Sequence, residues 1–285
     1  MQMIKMSVGI ASATLMVLAS GYVAPAIAIA QTKDAEEVPA PDYRSETVDG
    51  VTWRYYISNG MAVLEAPYKE KRPDSQMRFR WSVIDSKTAG AVKIPEKLGG
   101  VAVGRIGQEA FSCCTNLVSI TIPNGAESIG GAAFYSCKAL ESITIPSSVK
   151  SIEQKAFAHC WHLKEVVIEP GLERIGLEAF IGCPRLSCVR LPSSVREIGK
   201  NVKSGRGMPP FRVFEPMCGP KSSPPGMPSL CDELTFVVDK GDEDRVRGMF
   251  FDKRFEKRQE IMKKRGLPDR AVRVVVEGEY QRRKD

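Results

Sequence analysis

An apolar phrase recurs four times, at a fixed step of 23 residues, in the middle of this 285-residue chain. The first copy reads IGQEAFSCCTNLVSITIP at residues 106–123, and the later copies begin at residues 129, 152 and 175 with no insertion between them. Two side-chain types mark every copy: the phenylalanines Phe111, Phe134, Phe157 and Phe180, and the cysteines Cys114, Cys137, Cys160 and Cys183. One such unit cannot bury its own apolar residues, so the chain must stack the units into successive coils.

Each coil is predicted to contain one short strand and one irregular arc. The L-x-x-I-x-I part alternates apolar and outward residues, as a strand does, and the segment around the phenylalanine returns the chain on the other side. A period of 20–29 residues with this core is typical of a leucine-rich-repeat solenoid. The predicted fold is therefore a short-coil solenoid that is mainly β, poor in α/β units, with a hairpin cap before it and a helix-containing cap after it. Stacks of this kind present extended surfaces for binding.

The phrases resemble the BspA-type leucine-rich repeats of bacteria, whose units read approximately I-P-x-x-V-x-x-I-G-x-x-A-F-x-x-C-x-x-L-x-x-I. The resemblance is close over about residues 92–198, and the segment IPEKLGGV at 94–101 is similar to the family's opening unit. It implies an extracellular or surface-exposed protein with a role in adhesion or protein binding. It carries over no catalytic residue.

The N-terminal residues 1–30 have the pattern of a secretion signal. Lys5 precedes an uncharged stretch, which ends in the small-x-small sites of residues 26–30, so we expect cleavage before Gln31. An uncleaved membrane anchor is the alternative, since about 20 apolar residues can span a bilayer. The polar, proline-bearing segment 31–45 is predicted to be a flexible linker.

The residues on either side of the repeats are predicted to cover its ends. In the N-terminal cap, residues 46–91, Asn59-Gly60 separates two alternating apolar runs and indicates a β-hairpin, with a further strand at 79–84. The solenoid itself is assigned to residues 92–202. It contains four full coils and a partial first coil whose strand at 92–95 is offset by five residues, which places an insertion around 98–104.

After the solenoid we predict a Pro- and Gly-rich loop at 203–231 and then a C-terminal region, 232–285, with a strand and a basic helical cap. The strand at 234–238 is a candidate for the last rung, a helix is expected over 242–265, and a final strand over 271–276. Residues 240–285 hold 15 Lys and Arg against 10 Asp and Glu, so much of the net charge of +7 lies in this tail. Its interleaved acids favour a solvated helix over an anion-binding tail.

The repeated cysteines are expected to be buried free thiols, because stacked parallel side chains have poor geometry for a disulfide. Outside that ladder, Cys218 and Cys231 bracket the Pro-rich loop and form a candidate disulfide, while Cys113 and Cys188 are left unassigned. The two histidines, His159 and His162, flank inward-facing Cys160 and are expected at the surface. No Cys-x-x-Cys pair accompanies them, so neither a metal site nor a cofactor is predicted, and no catalytic residue is assigned.

The outward strand positions are the first candidate binding residues, and the aromatic hairpin is the second. These residues are Ser119, Thr121, Ser142, Thr144, Glu165, Val167 and Arg190 on the strands, with Trp53 and Tyr55 in the hairpin. The alternative for the hairpin is that its aromatic face covers the open end of the stack. The sequence thus predicts a secreted or surface-exposed, non-catalytic binding protein with a protein or glycan partner, no specific nucleic-acid binding and no membrane span after signal cleavage. A structural envelope or assembly protein, whose basic tail binds anionic polymers, is the alternative.

Overall fold

Each coil of the repeat adds one strand, in parallel pairing, to each of two sheets. The computed structural model describes residues 41–65, 82–200, 233–250, 260, 264, 271–277 and 279. Within these residues one sheet has nine strands in the order β1-β2-β3-β6-β8-β10-β12-β14, with β5 beside β6, and the other has seven in the order β16-β15-β13-β11-β9-β7-β4. The strands are β1 (Arg44–Val48), β2 (Val51–Ser58), β3 (Met61–Leu64), β4 (Gly90–Lys93), β5 (Lys97–Leu98), β6 (Val101–Ile106), β7 (Leu117–Thr121), β8 (Ser128–Ile129), β9 (Ser142–Ile145), β10 (Ser151–Ile152), β11 (Glu165–Ile168), β12 (Arg174–Gly176), β13 (Cys188–Leu191), β14 (Glu197–Lys200), β15 (Glu233–Val238) and β16 (Ala271–Val276).

The parallel pairing keeps the 23-residue step from one strand to the next. Ser142 of β9 lies opposite both Ser119 of β7 and Glu165 of β11, and Glu165 lies opposite Cys188 of β13. Since side chains alternate along a strand, the same register places the Leu and Ile side chains of every coil inside. The predicted mainly-β repeat fold is confirmed.

The returning arcs are held to one another by a second ladder of backbone hydrogen bonds. The amides of Phe111, Phe134 and Phe157 each donate to the carbonyl of an alanine in the next coil at 2.7 Å, for example from Phe134 to Ala156. Two residues of each arc adopt positive φ to make these contacts, such as Lys155 (57°) and His159 (61°) in the third coil. Most residues in these two columns are not glycine, and the left-handed conformation costs an L-residue about 1–2 kcal/mol. The inter-coil hydrogen bonds offset that cost.

The core is a stack of aromatic rings beside a column of thiols. Neighbouring phenylalanine rings lie 5.0–5.1 Å apart between centroids and within 4° of parallel, and all four side chains are fully buried. Beside them the thiol of Cys160 donates to the carbonyl of Phe134 at 3.2 Å, and the Cys137 and Cys183 thiols make the equivalent contact. The four ladder cysteines are buried and free.

The N-terminal hairpin is present as β2 and β3, with Asn59 and Gly60 at positive φ in its turn. A second turn, Asp49-Gly50, pairs β1 with β2, so a strand begins at Arg44, inside the segment predicted as a linker. The Trp53 ring meets Phe111 edge-on, with centroids 6.2 Å apart, and thus lies over the first ring of the stack.

The strand predicted at 79–84 is wrong over its described part, because Ser82 belongs to no strand and Val83 and Ile84 form a bend. They act as a partial arc instead: the Val83 amide donates to Ala110, as a repeat phenylalanine does, and its carbonyl accepts from Arg54. Ser82 contacts the Cys114 sulfur at 3.2 Å. Residues 82–84 therefore pack against the first full coil in the place that the arc of a preceding coil would take.

The partial first coil and its insertion lie where the five-residue offset predicts. Val92 of β4 lies opposite Ile120 of β7, a separation of 28 residues, in parallel register. The extra residues form the small hairpin β5-β6, which turns through Gly99 and Gly100, both at positive φ.

Two further rungs follow the four regular coils. β15 pairs with β13 in parallel, as predicted, but β16 pairs with β15 in the same way, so the strand at 234–238 is not the last rung. The helix α1 (Glu243–Phe250) buries Val246 in the common core, and Arg245 donates to the Val195 carbonyl at 2.6 Å.

Several predictions concern segments outside the described residues. These are residues 1–40, the loop assigned to 203–231 with Cys218 and Cys231, and most of the predicted helix beyond residue 250. In the described part of the chain no helix is long and apolar enough to cross a bilayer.

Candidate recognition surfaces

The outward side chains of β7, β9, β11 and β13 form one surface, which we call the strand face. Its first two coils are polar and small: Thr121, Ser142 and Thr144 are exposed, and Ser119 is half-buried. Val167 is half-buried in the third coil. The structure thus brings the predicted strand residues into two columns, with one member of each column per coil.

Charge on the strand face is concentrated at its C-terminal end. Arg190 lies 3.7 Å from a carboxylate oxygen of Glu165 on the preceding coil, and its guanidinium also contacts Glu277, just beyond β16. The two partners lie on opposite sides of Arg190 and hold its guanidinium between them. A charged group fixed in this way loses less conformational entropy when a partner binds it.

Cys188 is 3% exposed, although it occupies an outward position of the same columns. Its neighbours in register are Glu165 on one side and Thr235 on the other, and Thr235 is itself only 8% exposed. A short side chain between longer neighbours is covered by them, and Arg190 reaches across the same position toward Glu165. The open part of the strand face therefore extends from β7 to β11 and ends at Arg190.

The aromatic hairpin residues do not offer a binding surface. Trp53 is 1% exposed and Tyr55 is 3% exposed, because both side chains pack inward over the first coil. The Tyr55 hydroxyl lies 3.4 Å from the Glu46 carboxylate, and burial together with that carboxylate raises the pKa of Tyr55. Alternation along a strand identifies which residues share a face, but it does not identify which face is covered.

A second surface, which we call the loop edge, lies where the arcs turn back into the strands of the seven-stranded sheet. Its members come from the second, third and fourth coils: Tyr135, Lys138, His159, Trp161, His162 and Arg185. The Lys138 ammonium lies 4.0 Å from the centroid of the Trp161 ring. The Tyr135 and His159 rings meet edge-to-face at 5.2 Å between centroids. These contacts join aromatic and basic groups from neighbouring coils.

The two histidines are half-buried and engaged, rather than directed freely into solvent as predicted. His162 Nδ1 lies 2.7 Å from the Lys138 carbonyl, which can only accept, so Nδ1 carries the proton. The His159 ring lies over Gly182, where an added Cβ would approach Nδ1 to 2.6 Å. Burial, followed by the nearby Lys155 ammonium, lowers the pKa of His159. The neutral imidazole is therefore favoured, and it packs against Tyr135.

The sequence signal for the loop edge was the repeat step itself. Lys138 and Trp161 are 23 residues apart, so stacking alone brings them together, as it does the core residues. The step therefore identifies neighbours at the turn between arc and strand, as it does at the inward positions.

The rest of the described surface contains one shallow pocket and several buried thiols. A shallow pocket of about 120 Å³ lies on the nine-stranded sheet, lined in part by Ser151, Arg174 and Glu197. No group of three or more His, Cys, Asp or Glu side chains within the described residues is placed to hold a metal ion. Five of the six described cysteines are buried, and burial raises the pKa of Cys114 to about 11. A thiol with such a pKa is almost entirely protonated at neutral pH and is a poor nucleophile.

Comparison with known proteins places the repeat region in a family. Residues 91–206 match the BspA type leucine-rich repeat region in six copies. No curated protein sequence shows a significant match to the chain.

Several solved structures are similar to parts of the chain. The leucine-rich repeat protein of T. pallidum is 26% identical, with 60% of this chain and 68% of that protein covered and a TM-score of 0.43. A leucine-rich cell surface protein of Faecalibacterium prausnitzii A2-165 is 26% identical, with 73% and 43% covered and a TM-score of 0.48. A leucine-rich repeat protein of Bacteroides ovatus is 31% identical, with 48% and 36% covered and a TM-score of 0.37. The chain thus spans less than half the length of the latter two. The repeats of residues 91–206 are therefore of the BspA type.

Proposed function

We propose that this protein is exported and binds a protein or glycan partner outside the cytoplasm through the strand face, without catalysing a reaction. The observation that carries the proposal is the constant register of β7, β9, β11 and β13, which aligns outward side chains from four coils into one continuous surface. The match of residues 91–206 to BspA type repeats supports a binding role, and the leader-like residues 1–30 support export.

Arg190 is the residue of the strand face best suited to anchor a partner. Arginine is enriched among the residues that dominate binding energy at interfaces. The ion pairs with Glu165 and Glu277 fix its guanidinium before binding, while the exposed hydroxyls of Thr121 and Thr144 leave room for a partner to approach the neighbouring coils.

Binding by the strand face is tested by quantitative pull-down of the full-length protein with envelope fractions and with extracellular matrix extracts. Arg190→Ala and the blocking variant Thr144→Lys should each reduce saturable binding by about tenfold or more. Arg196→Ala, which changes an exposed arginine just before β14 of the nine-stranded sheet, is the matched control and should bind as the unaltered protein does. Co-sedimentation with envelope fragments that none of these changes affects would instead favour a structural role in the envelope.

Export is tested separately, by mass spectrometry of the protein recovered from the culture medium and from the cell envelope. A mature N-terminus at Gln31 is expected. Recovery of Met1 in a membrane-bound form would identify residues 1–30 as an anchor.

A further inference from the structure

Four strands lie at the ends of the two sheets, and three of them have features that discourage pairing with another chain. Natural proteins shield such edge strands with short length, charge or an irregular backbone. β4 has four residues and an exposed lysine, Lys93. β14 also has four residues, and Gly199 within it has a φ of 76°. β1, with the sequence RSETV, is polar, and four of its five residues are exposed.

β16 is the exception, because it has six residues, AVRVVV, and five of them are apolar. The side chains of Val272, Val274 and Val276 alternate toward the core, like those of the β15 residues opposite them. Val274 is 6% exposed, but Val272 and Val276 are only half-buried. The last rung of the core is therefore incompletely covered by the residues that the structure describes.

The backbone groups of the same three valines point to the open edge of the sheet. The Glu277 amide donates to the Val238 carbonyl of β15 at 2.8 Å, and alternate residues of β16 direct their backbone groups to opposite sides. The amides of Val272, Val274 and Val276 therefore face away from β15, and no described residue accepts a hydrogen bond from them. A row of unpaired N–H groups on an apolar strand is a template for pairing with a further strand.

The carbonyl groups of this edge retain accepting capacity. Arg247 of α1 lies 3.4 Å from the Val274 oxygen, and the Glu279 amide donates to the Val276 oxygen at 3.1 Å. Each carbonyl oxygen has two lone pairs, so both can accept a second hydrogen bond. The edge thus offers donors and acceptors to an incoming strand.

We propose that β16 pairs with β16 of a second copy of this chain, antiparallel about a twofold axis, so that the two seven-stranded sheets become one continuous sheet. Closed twofold dimers are the commonest homo-oligomers, because the same patch serves both copies. The pairing covers the half-buried side chains of Val272 and Val276 and supplies acceptors for the unpaired amides.

Charge selects the second copy as the occupant and fixes the register. Arg273 and Glu277 both lie on the outward side of β16, where Glu233 contacts the first and Arg190 contacts the second. Registers that join the edge amides differ by steps of two residues. One of them places Arg273 opposite Glu277 of the second copy, twice across the axis, whereas the next two place Arg273 opposite Val275 or opposite Arg273 itself. Opposite charges directly across a strand pair are favourable and like charges are unfavourable.

The dimer would place both strand faces on the same side. Residues directly opposite in an antiparallel pair point to the same face of the sheet, so the outward columns of the two copies continue one another. A partner with repeated epitopes can then engage both copies at once, which raises its avidity. The pairing itself requires no ligand on the strand face, so it can be tested independently of the proposed function.

The oligomeric state is tested by sedimentation velocity of the full-length protein over a range of concentrations, where we expect a monomer–dimer equilibrium. Val275→Lys places two ammonium groups opposite each other at the axis and should weaken the dimer about tenfold or more. Val167→Lys is the matched control, because Val167 is a half-buried valine in the same outward column on β11. It should leave the dimer unchanged, and circular dichroism verifies that both variants are folded.

Three results would overturn the proposal. The first is a protein that stays monomeric at every concentration, and the second is a dimer that Val275→Lys does not weaken. The third is assembly that continues beyond the dimer, which would indicate head-to-tail pairing of β16 with β4 in place of the twofold arrangement.

Cysteine substitutions test the register. Val275 lies opposite itself across the axis, in a pair whose Cβ atoms are about 4.5–5.5 Å apart, so Val275→Cys should form an intermolecular disulfide under mild oxidation. Arg273→Cys is the control, because the two copies of residue 273 are about 13 Å apart, four residues along a strand. Non-reducing gel electrophoresis measures the product, with the unaltered protein as the background for exposed Cys113. Equal cross-linking of both variants would overturn the assigned register.

Discussion

The ring stack should behave as a chain of coupled pairs, and double-mutant cycles test this directly. Phe134 lies between Phe111 and Phe157, at 5.1 and 5.0 Å between ring centroids, and every ring is 0% exposed. Phe134→Leu keeps most of the side-chain volume but loses both ring contacts. At about 0.5–1.5 kcal/mol for each aromatic pair, the free energy of unfolding should fall by about 1–3 kcal/mol.

The coupling between neighbours separates ring contact from simple burial. Phe134→Leu combined with Phe157→Leu removes their shared contact only once, so the double variant should be about 0.5–1.5 kcal/mol more stable than the sum of the single effects predicts. Phe111 and Phe180 are three coils apart, about 15 Å, and the same substitutions there should add to within about 0.5 kcal/mol.

Urea unfolding followed by circular dichroism provides the measurement, with the slope of the transition compared between variants. A slope that stays constant indicates that the variants unfold as one cooperative unit and that their free energies can be compared. Coupling of the same size for the adjacent and the distant pair would refute the idea that ring contact contributes beyond apolar burial, because burial is equal at all four positions.

Three further predictions concern the thiols, the left-handed positions and the C-terminal helix. Because burial raises the pKa of Cys114 to about 11, the native state holds the thiol proton more tightly than the unfolded state does. This thiol should therefore leave the free energy of unfolding unchanged below about pH 9 and lower it as the pH rises further. In urea titrations between pH 9 and 11, the Cys114→Ala variant should lose about 1.4 kcal/mol less per pH unit than the unaltered protein. Gly182→Ala should lower the free energy of unfolding by about 1–2 kcal/mol because of the φ of 71° alone. The close approach to the His159 ring should add to this loss, and that addition should disappear when His159→Ala is also present. An equal loss with and without His159→Ala would contradict the contact. Arg245→Lys removes the bidentate contact with Asp242, whose hydrogen bonds measure 2.6 and 2.8 Å. Amide hydrogen exchange should become faster in α1 and stay unchanged in β11. An unchanged exchange rate in α1 would show that packing of Val246 alone holds the helix.

The repeat phrase predicted the core well because its side chains meet copies of themselves. Phe134 stacks on Phe111 and Phe157, and Ile143 lies beside Val166, so the content of one coil specifies its neighbours. The turn at Asn59-Gly60 could also be predicted, because the tendency of both residues to adopt positive φ is a local property of the sequence.

The predictions fail where a residue packs against a segment that is not a copy of its own repeat. The segment 82–84 is apolar like a strand, yet the free edge of the first arc offers hydrogen bonds to Val83 that only an arc-like conformation can make. Cys188 alternates like an outward residue but meets Thr235, which is 47 residues later, rather than a partner 23 residues later. No period in the sequence specifies these neighbours, because each depends on how the chain re-enters the stack.

The same distinction decides where specificity can arise in this protein. A surface made by stacking identical positions repeats one chemical group per coil, as the hydroxyls of Thr121 and Thr144 do, and such a surface discriminates weakly between partners. Discrimination requires positions where the coils differ while their spacing stays fixed. At the turn between arc and strand the successive coils contribute Lys138, then Trp161 and His162, and then Arg185, at a spacing that the buried Phe and Cys columns hold constant. The uniform core is thus what makes the distances between unlike surface groups reproducible.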